Sequence, residues 1–477
     1  MSAPKAVSVA GVAAAKACTV NPLKMSQPLG AALAFLGIDR SMPVFHGSQG
    51  CTAFGLVLFV RNFRESIPLQ TTAMNEVTTI LGGGENIEKA LLNIHKRAMP
   101  AFIGIASTGL TETKGDDVAG DLRRIVAAHP ELAMPIVYVS TPDYEGAFQD
   151  GWAKAVKGVV ESLAQPAATV KGQVNILPGC HLTPGDIIEL REIVADFGLD
   201  PIVLPDLSGS LDGHVPEDFS PTSLGGTAVA DIARTGASEA TIAIGEHMRP
   251  AARALTERAG VPARVFASLT GLAAADDLFA WLSAFSGRPV PQKYRRQRSQ
   301  LVDAMLDAHF YFGAKRVAIG AEPDLLWALG AWLKEMGCTL AAAITTTHSP
   351  VLAYLAAEGA RVGDLEDLEA QARGCDLLIT HSHGRQAARR LGVPFLRMGL
   401  PTFDRLGAAH RVIVGYRGTR DLVFEVGNVF LAHDRAPQKS GAAADAGDPM
   451  GAFSLEERPA CLEACHDHDS ATEGYWL

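Results

Sequence analysis

The chain has 477 residues, more than one ordinary hydrophobic core organises and typical of about three domains. With 48% hydrophobic and 20% charged residues, its composition is that of a soluble globular protein. The formal net charge of −10 argues against a nucleic-acid partner, because phosphates are bound by basic surfaces. No apolar run approaches the roughly 20 uncharged residues of a membrane span. The seven scattered cysteines favour a reducing cytoplasm over a disulfide framework.

Short β-branched runs alternate with longer amphipathic stretches, and this alternation predicts an α/β fold whose parallel sheets carry helices on both faces. In chain order, strands are predicted at 101–106, 136–140, 174–177, 202–204, 241–244, 265–268, 316–320, 340–345, 377–380 and 412–415. Helical periodicity predicts helices at 86–98, 117–128, 186–197, 301–312 and 325–336. We expect three α/β domains at 1–168, 169–290 and 291–436. A low-complexity tail at 437–477, which we expect to be disordered, follows them.

A small-residue turn precedes one cysteine in the segment His46-Gly47-Ser48-Gln49-Gly50-Cys51. A thiol placed after such a turn can reach a group outside its own domain, and thiolates are the preferred ligands of iron–sulfur clusters. An isolated cysteine is, however, more often a small buried hydrophobic residue. One cysteine cannot hold a cluster alone. Cys51 is therefore the candidate metal ligand, and the other ligands are expected elsewhere.

Four other segments carry polar or ligand-type residues, and the first three also have a structural interpretation. The glycines at 82–84 could cradle a phosphate, but a plain turn before a helix is favoured. The loop at 205–214 could hold a divalent metal or act in hydrolysis, yet its Asp, Ser and Gly residues also form ordinary Asx turns. His381 and His383 could share a metal, although lining a cleft is favoured. The role of the tail residues stays open: Cys461, Cys465, His466 and His468.

Several segments taken together closely resemble the β-type subunits of the nitrogenase family. The similarity spans about residues 16–435, with motifs at 16–31, 46–51, 61–65, 68–74, 108–113, 205–214, 362–368, 390–394 and 415–418. The motifs after residue 60 resemble the branch that assembles the iron–molybdenum cofactor. The resemblance implies three Rossmann-like domains, with mainly parallel sheets, around a cleft. A separate dinucleotide-dependent enzyme is disfavoured because no GxGxxG follows a predicted strand.

The resemblance also defines where cluster ligands belong. Catalytic β-type subunits hold their share of the P-cluster with three cysteines, and this chain matches only the second of them, at Cys51. Ser26 stands at the first position and Leu110 at the third. A serine is a poor replacement for a bridging thiolate, and a leucine is an impossible one. The resemblance therefore implies a smaller 4Fe–4S cluster at a subunit interface, with the α-type partner NifE supplying three cysteines.

The implied assembly is an α2β2 heterotetramer with NifE that receives the nitrogenase iron protein transiently. The iron–molybdenum cofactor precursor is expected mainly on NifE, and no catalytic residue is assigned to this chain. Two alternatives stay open: the counterpart in a vanadium system, and the catalytic β-subunit, which Ser26 and Leu110 disfavour.

Overall fold

In the computed structural model, which describes residues 22–215 and 217–434, three parallel sheets lie along the chain. The predicted α/β class is therefore confirmed. Each sheet lies within one of the ranges expected as a domain, and the domain boundaries themselves stay a prediction. The predicted tail at 437–477 lies outside the described residues. Among the described helices, none combines the length and the hydropathy that crossing a bilayer requires.

The first sheet has the strand order β2-β1-β3-β4, and both central strands are buried along their whole length. Val44 and Ile105 face a core formed with two covering helices, whereas Phe45 and Phe102 face the opposite core. Its strands are β1 (Ser41–His46), β2 (Gln70–Thr71), β3 (Phe102–Ser107) and β4 (Ile136–Val139). Its helices are α1 (Gln27–Leu36), α2 (Gln49–Phe63), α3 (Glu76–Leu81), α4 (Gly84–Ala98), α5 (Gly109–Lys114), α6 (Val118–Ala128) and α7 (Phe148–Leu163).

The second sheet has the order β6-β5-β7-β8, so that β5 and β7 form its centre. Its strands are β5 (Val170–Leu177), β6 (Asp200–Val203), β7 (Ser238–Ile244) and β8 (Ala263–Phe266). The accompanying helices are α8 (Pro184–Asp196), α9 (Val229–Arg234), α10 (Arg249–Ala259) and α11 (Leu272–Ser286), with short 3₁₀ turns at Thr235–Ala237 and Glu246–Met248.

The third sheet has the order β11-β10-β9-β12-β13. Its strands are β9 (Arg316–Ala321), β10 (Thr339–Thr345), β11 (Arg361–Val362), β12 (Leu377–Thr380) and β13 (Phe395–Arg397). Its helices are α12 (Gln292–Phe312), α13 (Pro323–Glu335), α14 (Leu365–Gln371), α15 (Arg385–Leu391) and α16 (Gly415–Asp434), with 3₁₀ turns at Pro350–Glu358, Ser382–Gly384 and Ala408–His410.

The predicted strand at 412–415 is wrong. The backbone N–H groups of Ile413 and Val414 donate to the buried Asp186 carboxylate at 2.7 and 3.2 Å, and not to a neighbouring strand. Gly415 then begins α16. This apolar, β-branched run is buried without joining a sheet, because the Asp186 carboxylate accepts the hydrogen bonds that a neighbouring strand would otherwise accept.

Asp186 therefore joins α8 to the segment before α16, and it also closes the capping box of α8 with Thr183. We predict that Asp186→Ala lowers the stability of the protein by about 2–5 kcal/mol, because buried N–H groups lose their acceptor. Thermal and urea unfolding measure the change.

Asp117→Ala is the matched control, since the exposed Asp117 caps α6 through a single bond to Gly120 N, 2.9 Å long. It should cost only about 1 kcal/mol. Equal losses in the two variants would contradict the bridging role of Asp186.

Candidate functional site

Cys51 lies in the first helical turn of α2, directly after the small-residue turn predicted from the sequence. Ser48, in that small-residue turn, is the N-cap residue of α2. Its side chain is half-buried, and its Sγ is 3.7 Å from Ser48 Oγ. The first turn of a helix has backbone N–H groups without intrahelical partners, and it favours anionic groups. The position therefore suits an anionic thiolate-bound cluster.

The three positions that the resemblance marks for cluster ligands lie at the carboxyl-terminal edge of the first sheet, where its parallel strands end. The strands β1 and β3 are adjacent and parallel, so Cys51 and Leu110 both follow carboxyl ends that lie side by side. The connections touch each other, because Thr108 Oγ1 donates to His46 O at 3.1 Å.

Ser26 lies at the same edge, because its neighbour Gln27 contacts the connection that follows β4. The Gln27 Nε2 donates to Glu145 O, 2.8 Å away, in the connection that follows β4. Gly109 N donates to Asp143 Oδ2 in that same connection, at 3.0 Å. Of the three marked positions, only Cys51 carries a thiol, as the sequence shows.

The remaining described cysteines lie elsewhere. Cys338 and Cys375 are buried directly before β10 and β12, at the amino ends of strands in the third sheet. Cys180 follows β5, and burial raises the pKa of its thiol well above the usual value. A protonated thiol is a poor metal ligand, so Cys51 stands as the cluster-ligand candidate among residues 22–215 and 217–434.

Exposed apolar side chains surround the same edge. On α2, Phe54 is 75% exposed and Val57 is 52% exposed. Ile80 and Leu81, on the helix that follows β2, are 79% and 81% exposed. Clusters of large exposed apolar side chains mark contact surfaces in soluble proteins.

A central cleft lies where the three sheets face one another, and it encloses a cavity of about 100 Å³. Its wall includes Met25, His181, Glu322, His381 and Arg397, which come from segments beside all three sheets. Burial raises the pKa of Glu322 to about 8 and lowers the pKa of His181 to about 4. Both side chains are therefore largely uncharged at neutral pH.

The two histidines singled out after β12, together with the nearby Arg385, divide between two environments. His381 lines the cavity, and its Nε2 donates to Leu23 O at 3.2 Å. His383 packs edge-on against the Phe403 ring, and Arg385 lies 3.7 Å from the Asp404 carboxylate.

The glycine turn at 82–84 and the loop at 205–214 both have structural roles. Gly83 is the N-cap residue of α4, and Asn86 Nδ2 donates to Thr72 O at 2.9 Å. Asp206 pairs with Arg191 and accepts from Ser208 N.

A cluster that sequence reasoning missed joins the second and third sheets. Ligand-type atoms of His181, His247 and Asp324 lie within 4.8 Å of one another. These residues are separated by 66 and 77 positions in the chain. The one sequence signal for such a cluster is that each residue shortly follows the carboxyl end of a strand, and these strands end at 177, 244 and 321.

Burial lowers the pKa of His381 to about 4, so the folded protein keeps this residue neutral where the unfolded chain binds a proton. Because the unfolded state binds more protons, stability falls as pH decreases from 6.5 toward 4. We predict that His381→Gln reduces the loss of stability between pH 7 and pH 5 by about 2 kcal/mol.

Thermal unfolding at the two pH values measures this difference. His433→Gln changes an exposed histidine and serves as the control. An unaltered pH dependence in His381→Gln would show that His381 does not take part in acid destabilisation.

Comparison with known proteins places this geometry in context. The family model of the nitrogenase component 1 type oxidoreductases matches residues 26–431. The NifN protein of Bradyrhizobium diazoefficiens, a "nitrogenase iron-molybdenum cofactor biosynthesis protein", is 60% identical over 425 residues, covering 88% of this chain and 91% of that protein. The corresponding protein of Nostoc sp. is 51% identical over 426 residues, covering 89% and 96%.

A solved structure, "Nitrogenase Cp1 at pH 6.5", is similar with a TM-score of 0.84 and 32% identity. The match covers 90% of this chain and 97% of that chain. The resemblance inferred from the sequence motifs is confirmed by these matches.

Proposed function

The chain belongs to the nitrogenase component 1 type oxidoreductase family, and we propose that it is the β-type subunit of a scaffold complex that assembles the nitrogenase iron–molybdenum cofactor. The observation that carries this proposal is the single thiol at the edge of the first sheet, with Ser26 and Leu110 at the other two marked positions. A catalytic β-type subunit needs thiolates at all three. The relatives named for cofactor biosynthesis support the same assignment.

In this proposal the cluster is a 4Fe–4S cluster shared between two chains. Cys51 binds one iron from the first turn of α2, and three cysteines of NifE bind the other irons. Among residues 22–215 and 217–434 the donor set fits such sharing, because Cys180 follows β5 of the second sheet, and Cys338 and Cys375 lie before strands of the third, apart from Cys51 beside the first. When bound, the cluster supplies electron transfer to the cofactor precursor.

The proposed assembly is the α2β2 heterotetramer with NifE, located in the cytoplasm. The exposed apolar residues beside Cys51 supply a contact surface for NifE, and the nitrogenase iron protein docks transiently. The cofactor precursor is held mainly by NifE, so this chain contributes an interface, a cluster ligand and a docking surface.

We predict that Cys51→Ala in the co-purified complex makes one corner of the cluster labile. Iron content should fall and the electron paramagnetic resonance spectrum should change, because a cubane iron that loses its thiolate lacks an external protein ligand. Cofactor maturation should fall with it. Cys375→Ala, which removes a buried thiol of the third sheet, is the control and should leave the spectrum intact. Unchanged iron and an unchanged spectrum in Cys51→Ala would remove the basis of the ligand assignment.

A second prediction concerns the contact surface. Phe54→Asp places a charge where the proposal buries an apolar ring, so co-purification with NifE should drop at least tenfold while the chain stays folded. Val215→Asp is the matched control, since Val215 lies in the segment that follows β6 and is 93% exposed. If Phe54→Asp assembles as well as Val215→Asp, NifE binds another face.

A further inference from the structure

The cluster of His181, His247 and Asp324 lies at the carboxyl ends of two sheets. His181 and His247 follow β5 and β7, which are adjacent and parallel, with Leu177 paired to Ala243. Asp324 is in the first turn of α13, directly after β9 of the third sheet. Carboxyl ends of parallel strands are where α/β proteins bind ligands. The cluster is thus separate from the first sheet, which carries Cys51.

Two atoms of the cluster are buried without a hydrogen-bond partner: His181 Nδ1 and Asp324 Oδ1. Buried polar atoms are almost always paired, so each such atom calls for an explanation. One is an imidazole nitrogen and the other a carboxylate oxygen, and ligand-type atoms of the two residues lie within 4.8 Å of each other, close enough for one cation to bind both residues.

His247 holds the carboxylate in place. Its backbone N–H donates to Asp324 Oδ2 at 3.1 Å, and its Nδ1 contacts the same oxygen. Its Nε2 accepts from Cys180 N at 3.2 Å, so both ring nitrogens of His247 are engaged. Asp324 Oδ2 is therefore occupied, while Oδ1 stays available.

Cavities reach the cluster from two sides. His181 lines the central cavity of about 100 Å³, and His247 lines a second cavity of about 340 Å³. The wall of the second cavity carries the carboxylates of Asp150 and Glu246 together with Lys154, Lys157 and Arg249, so the cavity gives access to the cluster without a net negative charge. An ion has an entry path and room for water ligands.

We propose that His181 and Asp324, positioned by His247, bind a divalent transition-metal ion of the class of Zn²⁺ or Fe²⁺. A nitrogen and a carboxylate oxygen suit these ions, whereas Mg²⁺ and Ca²⁺ prefer oxygen ligands throughout. Water or a donor from the adjoining cavities completes the coordination. Because one ligand comes from the second sheet and the other from the third, the ion ties these two sheets together.

Co²⁺ is the probe, because its visible absorption bands report nitrogen and oxygen coordination separately from iron–sulfur absorption. The full-length chain, with any subunit that co-purifies, is treated with a chelator and titrated with Co²⁺ and then with Zn²⁺. We expect one ion per chain at this site. His181→Ala and Asp324→Asn should weaken its binding at least 100-fold, and His247→Gln about 10- to 100-fold. His433→Ala, on the exposed end of α16, should leave it unchanged.

His181→Ala is the decisive variant, because His181 Nδ1 has no partner whose loss would unfold the protein. Zn²⁺ should also raise the thermal midpoint of the natural chain and not that of His181→Ala. Co²⁺ spectra and Zn²⁺ stabilisation that are the same in His181→Ala and in the natural chain would overturn the proposal, as would the absence of binding in the natural chain. Either result leaves the role of Cys51 untouched, since Cys51 is not a member of this cluster.

Discussion

The close crossing of α1 and α7 is the contact on which the arrangement of the sheets depends. A side chain at Gly30 would overlap the Phe148 carbonyl oxygen, and one at Gly151 would overlap the Gln27 carbonyl oxygen. The two backbones therefore touch, which only glycine permits at both positions. α7 in turn packs against α10 of the second sheet. The glycine pair thus sets the distance between the first two sheets.

The same N-terminal segment reaches the third sheet. Leu23 packs into the core around Leu368 and Leu378, and its carbonyl accepts from His381. Ile38, just after α1, forms a bridge with Thr227 of the second sheet region. Residues 23–38 therefore contact all three sheets. A change in this segment therefore alters both the cleft and the position of Ser26 beside the proposed cluster.

α2 links the proposed cluster to the cleft. Its first turn carries Cys51, and its last turn carries Asn62 and Phe63, which line the central cavity. Asn62 Oδ1 accepts from Thr402 N at 2.8 Å, and Arg61 lies over the Phe403 ring. One helix therefore touches the proposed cluster at one end and the third sheet at the other. The 15 residues of α2 span about 22 Å, so the proposed cluster ligand lies within one helix length of the cleft.

Much of the fold could be predicted because strand and helix periods are local properties of the chain. The helices predicted at 186–197 and 325–336 match α8 and α13, which begin two residues earlier, at Pro184 and Pro323, since proline at the first helical position needs no N–H partner. The strands β2, β11 and β13 were missed because two or three residues are too few to show a period. The six-residue strand β1 was also missed, because Pro43 in its middle is unusual for a strand. The strand predicted at 412–415 failed because the partner of its backbone is a carboxylate distant in sequence.

The candidate site likewise combines features that a local pattern indicates with features that depend on long-range contacts. Cys51 could be named as a candidate ligand from its turn and from the family motifs, which are contiguous in the sequence, and its ligand role stays a prediction. The cluster of His181, His247 and Asp324 could not, because these residues meet only through the pairing of β5 with β7 and the position of β9. Pairing of parallel strands depends on long-range contacts, which no local pattern in a single sequence reports.

The central claim is that Cys51 binds iron within a complex, and thiol alkylation under native conditions tests it most directly. A half-buried thiol that binds iron is unavailable to an alkylating reagent until the iron is removed. The account predicts that Cys51 in the purified complex resists iodoacetamide, and that it is labelled after anaerobic iron chelation with the complex still assembled. Cys51 that is labelled equally before and after chelation would contradict the account.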